Sequence, residues 1–174
     1  YTIISRTNKN IIKNAFELCE EKKYINFIGG IEKYGFHFIE DMYNFKISGK
    51  TNNPYLANYR EYGEIKAHME ISNEINSAIK TAVEVVETYN SEIRSLMKNL
   101  KQFTTDKKDI TQVFLTNVHQ AKGLEFDNLK IDNDFIEYQN FIKYRALANP
   151  NEAEEQLTQL EEKINSAYVV IIPA

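Results

Sequence analysis

Residues 1–30 read YTIISRTNKN IIKNAFELCE EKKYINFIGG, and the order of elements in this stretch decides the fold class. Tyr1 to Ser5 is a short apolar strand. Thr7 or Asn8 can cap a following helix, with Ile11, Ala15 and Leu18 on one face and Ile12, Phe16 and Cys19 beside it. Tyr24 to Ile28 is a second short strand, closed by Gly29-Gly30. Beyond it, Phe36, Ile39, Tyr43 and Ile47 recur at helical spacing. Strand, helix, strand, helix predicts a parallel α/β sheet flanked by helices.

Outward from this stretch the pattern changes and then returns. Gly49 to Pro54 is a polar break. From there to about Leu100 no strand pattern is visible. Ile75, Ile79, Ala82, Val86, Tyr89, Ile93, Leu96 and Leu100 alternate spacings of four and three, which makes one apolar seam on a helix. Asn90-Ser91 can split that seam in two. The seam is expected to pack inside a small helical insertion; a coiled coil with a partner is the other use for such a seam. Strand patterns resume at Gln112 to Asn117 and Asn128 to Asp132. Glu152 to Asn165 is acidic and helix-forming. Tyr168 to Ile172 has strand composition, yet the preceding helix could run into it. The expected architecture is one α/β domain interrupted by an all-helical insertion.

Composition sets bounds on function. The chain has 174 residues, 43% of them hydrophobic and 26% charged, which suits a globular domain rather than a disordered one. No apolar run reaches the roughly 20 residues needed to span a bilayer, so no membrane partner is expected. The net charge of −4 means that nucleic-acid binding must come from a local patch. The one cysteine, Cys19, rules out an internal disulfide and points to a reducing, cytoplasmic setting. The chain opens at Tyr1 in a strand and closes just after an apolar run, as a piece of a longer protein would.

Several chemical signatures fail on inspection. Gly49-Lys50-Thr51 has Asn44 where a phosphate loop needs its first glycine, and it follows a helix rather than a strand, so it reads as an ordinary loop. The histidines are too far apart for a zinc motif. Asp132 and Asp134 could hold magnesium, but their spacing is common in loops. Cys19 lies on an apolar helix face and reads as core. The informative segment is Thr116 to Asp127, TNVHQAKGLEFD. It offers hydroxyl, amide, imidazole and ammonium groups on a strand-to-helix turn, with a glycine that allows close backbone approach. Such a turn suits a polyanion; a capped loop of no function has the same composition.

This segment resembles motif V of the UvrD/Rep-type superfamily 1 DNA helicases, Thr-x-His-x-x-Lys-Gly-Leu-Glu-aromatic. Lys130 to Phe135 supplies the strand and the Asp-Phe that follow it. Ile3 to Asn8 resembles motif IV, a strand ending in an arginine. Gly29 to Tyr34 and Val85 to Tyr89 resemble the branch that contains the F-box DNA helicases. The resemblance implies a RecA-like second motor domain, incomplete, over residues 1–50 and 108–174, with an accessory helical subdomain over 51–107. It implies ATP-driven 3′-to-5′ DNA unwinding by the parent enzyme. The phosphate loop and the magnesium site would belong to a first motor domain that this chain lacks. ATP and Mg2+ would therefore be used only together with that partner domain, and the chain alone would be inactive.

Residue roles follow from the resemblance where the motifs match. Arg6, Gly123 and Glu125 would serve ATP: Arg6 on the phosphates, Glu125 on the ribose, and Gly123 in the tight turn. Thr116, His119 and Lys122 would contact single-stranded DNA, weakly and without reading sequence. Family motif VI reads Tyr-Val-Ala, an aliphatic residue, then Thr-Arg-Ala; here Ile172 and Pro173 replace the threonine and the arginine. That arginine stabilises the transition state, so no complete catalytic set is expected. A degenerate, non-catalytic helicase-like domain that binds a protein through its helical insertion is the alternative expectation.

Overall fold

The structure, a computed structural model, describes residues 1–71 and 76–135. Ile75, the helix expected over 152–165, the run 168–172 and Pro173 lie outside the described residues. The described strands are β1 (Thr2–Ser5), β2 (Ile25–Phe27), β3 (Val113–Asn117) and β4 (Leu129–Ile131). They form one parallel sheet in the order β2-β3-β1-β4. The helices are α1 (Asn8–Glu20), α2 (Phe36–Ser48), α3 (Tyr62–Ile71), α4 (Ser77–Tyr89), α5 (Ile93–Phe103) and the one-turn α6 (Val118–Ala121). A parallel sheet flanked by helices is the expected class and is consistent with a RecA-like fold. Among the described residues, everything between β2 and β3 that is regular is helical.

Local chemistry accounts for the elements. All four residues of β1 are buried, as expected for an interior strand of a parallel sheet. β4, at the edge, is exposed throughout. Thr7 has extended backbone and its side chain accepts from the Asn10 N–H, so it is the cap of α1. Ile11, Ile12, Ala15, Phe16, Leu18 and Cys19 form the buried stripe of that helix. Gly49 ends α2, its N–H donating to the Phe45 carbonyl at 2.8 Å, so the Gly49-Lys50-Thr51 triplet follows a helix.

The apolar seam does break at Asn90, where φ is +39°, and a 3-10 turn over Asn90–Glu92 separates α4 from α5. The two halves then face different neighbours: α4 packs mainly on α2, and α5 on α1. Phe16 of α1 sits between Phe36, with ring centroids 6.0 Å apart, and Tyr89 of α4, at 5.2 Å. Val86, Ile93, Leu96 and Leu100 therefore share one continuous core with Ile3, Ile12 and Leu115. Cys19 lies inside that core, and burial pushes its thiol up to about 12, which leaves it inert as a nucleophile.

One charged node ties the helices together at their surface. The Glu87 carboxylate accepts from Lys46 at 3.0 Å, from the Tyr62 hydroxyl at 2.9 Å and from Lys66 at 3.2 Å. The Lys46 and Tyr62 hydrogen bonds are the main cause of its low pKa, about 2 against an ordinary 4.5. A depressed carboxylate pKa stabilises the fold above the unfolded value and loses that contribution as pH falls toward the folded one. Glu87 is 39% exposed, so solvent screening limits the effect to about 1 kcal/mol or less. Between pH 5 and pH 2 the melting temperature of the parent should fall more steeply than that of Glu87→Gln. Parallel curves would show that the node contributes nothing.

Candidate nucleic-acid and nucleotide cleft

All four strands are parallel, so their carboxyl ends lie along one edge, the place where open α/β sheets bind ligands. Ser5 and Asn117 are in register there, which sets the β1–α1 turn beside the β3–α6 turn. The segments that follow the strands are Arg6 to Asn8, Gly29 to Tyr34, His119-Gln120 and Asp132 to Asp134. Between the first three of these and the start of α4 opens a cleft of about 430 Å³. Arg6, Asn8, Lys33, Phe38, Asn117 and His119 line it, with Ser77 and Thr81 of α4 on the far wall.

Asp134 holds the β1–α1 turn. Its carboxylate accepts from the backbone N–H of Arg6 and of Thr7, each at 2.8 Å, and from the Thr7 hydroxyl at 2.8 Å. A carboxylate at this point also complements the positive end of α1. Asp132 accepts from Ser5 and from Asn14, both at 2.6 Å. Both aspartates thus have protein donors, and they anchor the end of β4 to α1. Among the described residues no group of acidic, histidine or cysteine side chains is placed to hold a metal ion. Arg6 is fixed in turn, its Nε donating to the Asp134 carbonyl at 3.0 Å. The outer guanidinium nitrogens have no protein acceptor among the described residues, and Arg6 lines the cleft.

A second network joins the other two turns. Asn117 caps α6 by accepting from the Gln120 N–H, and its Nδ2 donates to Asn8 Oδ1 at 2.9 Å. Lys33 Nζ donates to Gln120 Oε1 at 2.8 Å. Gly29 allows this approach. Its φ is +84°, and a Cβ there would stand 2.5 Å from Gln120 Oε1. Tyr34 lies beneath, its hydroxyl donating to the Ile28 carbonyl at 2.6 Å. Burial raises its pKa.

The residues expected from the sequence therefore separate. Arg6 and His119 meet in the cleft. Thr116 is on β3 and is 0% exposed, with its hydroxyl turned to the Asn117 carbonyl at 3.2 Å, so it lies under the cleft rather than in it. Lys122, Gly123 and Glu125 are exposed and do not line the cleft; Gly123 has φ +79° in the turn after α6. Lys33, Asn8 and Gln120 were not foreseen as site residues. Each lies inside a stretch that carries the resemblance (Ile3 to Asn8, Gly29 to Tyr34, Thr116 to Asp127), and the Gly29-Gly30 pair, two glycines after a strand, permits a close neighbour.

The chain is similar to curated DNA helicases, among them the following two. F-box DNA helicase protein 1 of Schizosaccharomyces pombe is 25% identical over 180 residues, covering 100% of this chain and 20% of that protein. F-box DNA helicase 1 of Gallus gallus is 23% identical over 147 residues, covering 78% of this chain and 14% of that protein. The chain thus spans one fifth or less of the length of these curated relatives. No protein-family model matches it, and no solved structure does. The similarity supports a distant helicase-like relationship. Among the described residues no helix is long and apolar enough to cross a membrane.

Proposed function

We propose that the chain is part of the second motor domain of a UvrD/Rep-type, ATP-dependent 3′-to-5′ DNA helicase. On this reading residues 1–50 and 108–174 belong to the RecA-like motor and 51–107 to its helical accessory segment. The observation that carries it is the register of Ser5 with Asn117. That pairing sets the motif IV-like Arg6 and the motif V-like turn side by side at the ligand-binding edge of a parallel sheet. The helicase names of both similar proteins support the same reading.

The cleft is suited to the backbone of a single strand. Arg6 and Lys33 supply charge, His119, Asn8 and Ser77 supply hydrogen-bonding groups, and none of these reads a base. Arg6 would also border the ATP site, because a guanidinium forks onto phosphate oxygens. Glu125 and Gly123 would reach the nucleotide from the turn after α6, and Lys122 would lie along the DNA path. ATP and Mg2+ would be bound only when the first motor domain closes on this one. Thr116, being buried with its hydroxyl on the Asn117 carbonyl, would act by supporting the turn.

The test is binding of a labelled oligothymidylate at low and moderate salt. Weak, salt-sensitive binding is expected, and Arg6→Ala or His119→Ala should weaken it by about tenfold or less, since each removes one contact of about 1 kcal/mol. Unchanged binding in both variants would place the strand elsewhere. No binding at low salt would favour the protein-interaction alternative.

A further inference from the structure

The aromatic wall of the cleft does not stop at Phe38. Tyr55 meets the Phe38 ring edge-on, with centroids 6.3 Å apart at 69°. Tyr59 lies 5.9 Å beyond Tyr55, and the His68 ring 6.0 Å beyond Tyr59. The row is built rather than loose. The Tyr55 and Tyr59 hydroxyls are 3.2 Å apart, and the Tyr59 hydroxyl is 2.8 Å from His68 Nδ1. The loop that carries the tyrosines is pinned by Asn53, which accepts from the Tyr55 N–H at 3.1 Å and donates to Asp41 of α2 at 2.9 Å. Leu56, between the two tyrosines, is fully buried and anchors the loop.

The hydroxyl hydrogen bonds hold the two tyrosines and the histidine in one row, so that the row offers ring surface to a ligand. Tyr55 is 38% exposed, while Phe38 and Tyr59 are half-buried, each packed in part against the core. Beside the row runs a cleft whose lining includes Arg6 and Lys33 against the single carboxylate of Glu32. A charged groove flanked by an ordered aromatic row is the arrangement that binds single strands without sequence preference. A proline-rich peptide would use the rings but not the cations.

We propose that Phe38, Tyr55 and Tyr59 form a base-stacking wall that extends the cleft, so that a strand whose phosphates follow Arg6 and Lys33 lays its bases on these rings. This rests on the single-strand reading of the cleft. It adds a direction to the path, from the ends of the strands outward over the start of the helical segment. Preformed rings cost little entropy on binding, so each stacked base contributes fully.

The experiment uses the whole chain and oligothymidylates of about 4 and about 12 nucleotides, bracketing a short and an extended site. Tyr55→Leu should weaken the longer oligomer by about tenfold and leave the shorter one unchanged. Its slope of log affinity against log salt should match the parent, because no phosphate contact is lost. Tyr55→Phe should bind like the parent. Arg6→Ala should weaken both oligomers and flatten the salt slope. The chain has 11 tyrosines and no tryptophan, so stacking should also quench its tyrosine emission. Photocrosslinking of the unmodified chain to an iodouracil oligomer should attach at Tyr55 or Tyr59, a readout independent of how the variants fold. Full binding of the longer oligomer by Tyr55→Leu, or crosslinks confined to other elements, would overturn the wall and leave the cleft reading standing. Arg6→Ala indistinguishable from the parent, or no binding by the parent, would overturn the cleft reading and the wall with it.

Discussion

Excision of residues 51–107, with the flanking ends joined by a flexible linker, is expected to leave a chain that no longer folds cooperatively. Ile79, Val83, Val85, Val86, Ile93, Leu96, Met97 and Leu100 are buried in the same cluster as Ile11, Ile12, Phe16 and Ile39. At about 1.5–3 kcal/mol for each buried side chain, their removal exceeds about 10 kcal/mol. The net stability of a domain is only about 5–15 kcal/mol. Excision would also uncover the inner faces of α1 and α2 and remove the Lys46–Glu87 and Lys9–Glu84 ion pairs. The measurement is a thermal melt followed by near- and far-ultraviolet circular dichroism. A sharp transition with retained near-ultraviolet signal would show that the insertion is a separable subdomain carried on an independent core. A broad, featureless melt is the outcome that the shared core requires.

The same packing explains what could be read from the sequence and what could not. β1 and β3 were legible because interior strands of a parallel sheet carry short apolar runs, as in Ile3-Ile4 of Thr2–Ser5 and Val113-Phe114-Leu115 of Val113–Asn117. Thr7, Gly49 and the break at Asn90 were legible because caps and turns depend on local chemistry. The partners of α4 and α5 were not, because an apolar stripe shows that a face is buried and not what it is buried against. The cleft was half legible. Arg6 and His119 were visible in the strand-end motifs. Lys33 and Gln120 were not, since they are 87 residues apart and meet only because β2 and β3 are neighbours. The inward turn of Thr116 was hidden for a related reason. Its burial follows from the place of β3 inside the sheet, where Thr116 pairs with Ile4 of β1, and that neighbour lies more than a hundred residues away in the chain.

Combined with a phosphate-loop motor domain from a UvrD/Rep-type helicase, the chain with its own Ile172-Pro173 is expected to hydrolyse no ATP above background. Alone it should be inactive as well, because its one Gly-Lys-Thr triplet has the wrong context for a phosphate loop. The reason in the combined case is the proline at the position where the resemblance puts an arginine. Proline carries no charge, and it lacks the fork of donors that holds a transferring phosphoryl group. In related phosphoryl-transfer systems such an arginine is worth about 10³–10⁵ in rate. Pro173→Arg alone should recover little, because Ile172 also departs from the motif. The double substitution Ile172→Thr and Pro173→Arg should raise DNA-stimulated phosphate release by about 10³ if the remainder of the cleft is intact. Arg6→Ala in that rebuilt chain should abolish the gain, since the two guanidinium groups would grip the same phosphates. Turnover by the unmodified pair would refute the claim that this position is catalytically degenerate. A rebuilt chain that pairs with its partner and binds single strands, yet still fails to release phosphate, would argue that Arg6 and Glu125 do not frame an ATP site. The cleft would then be a nucleic-acid track alone.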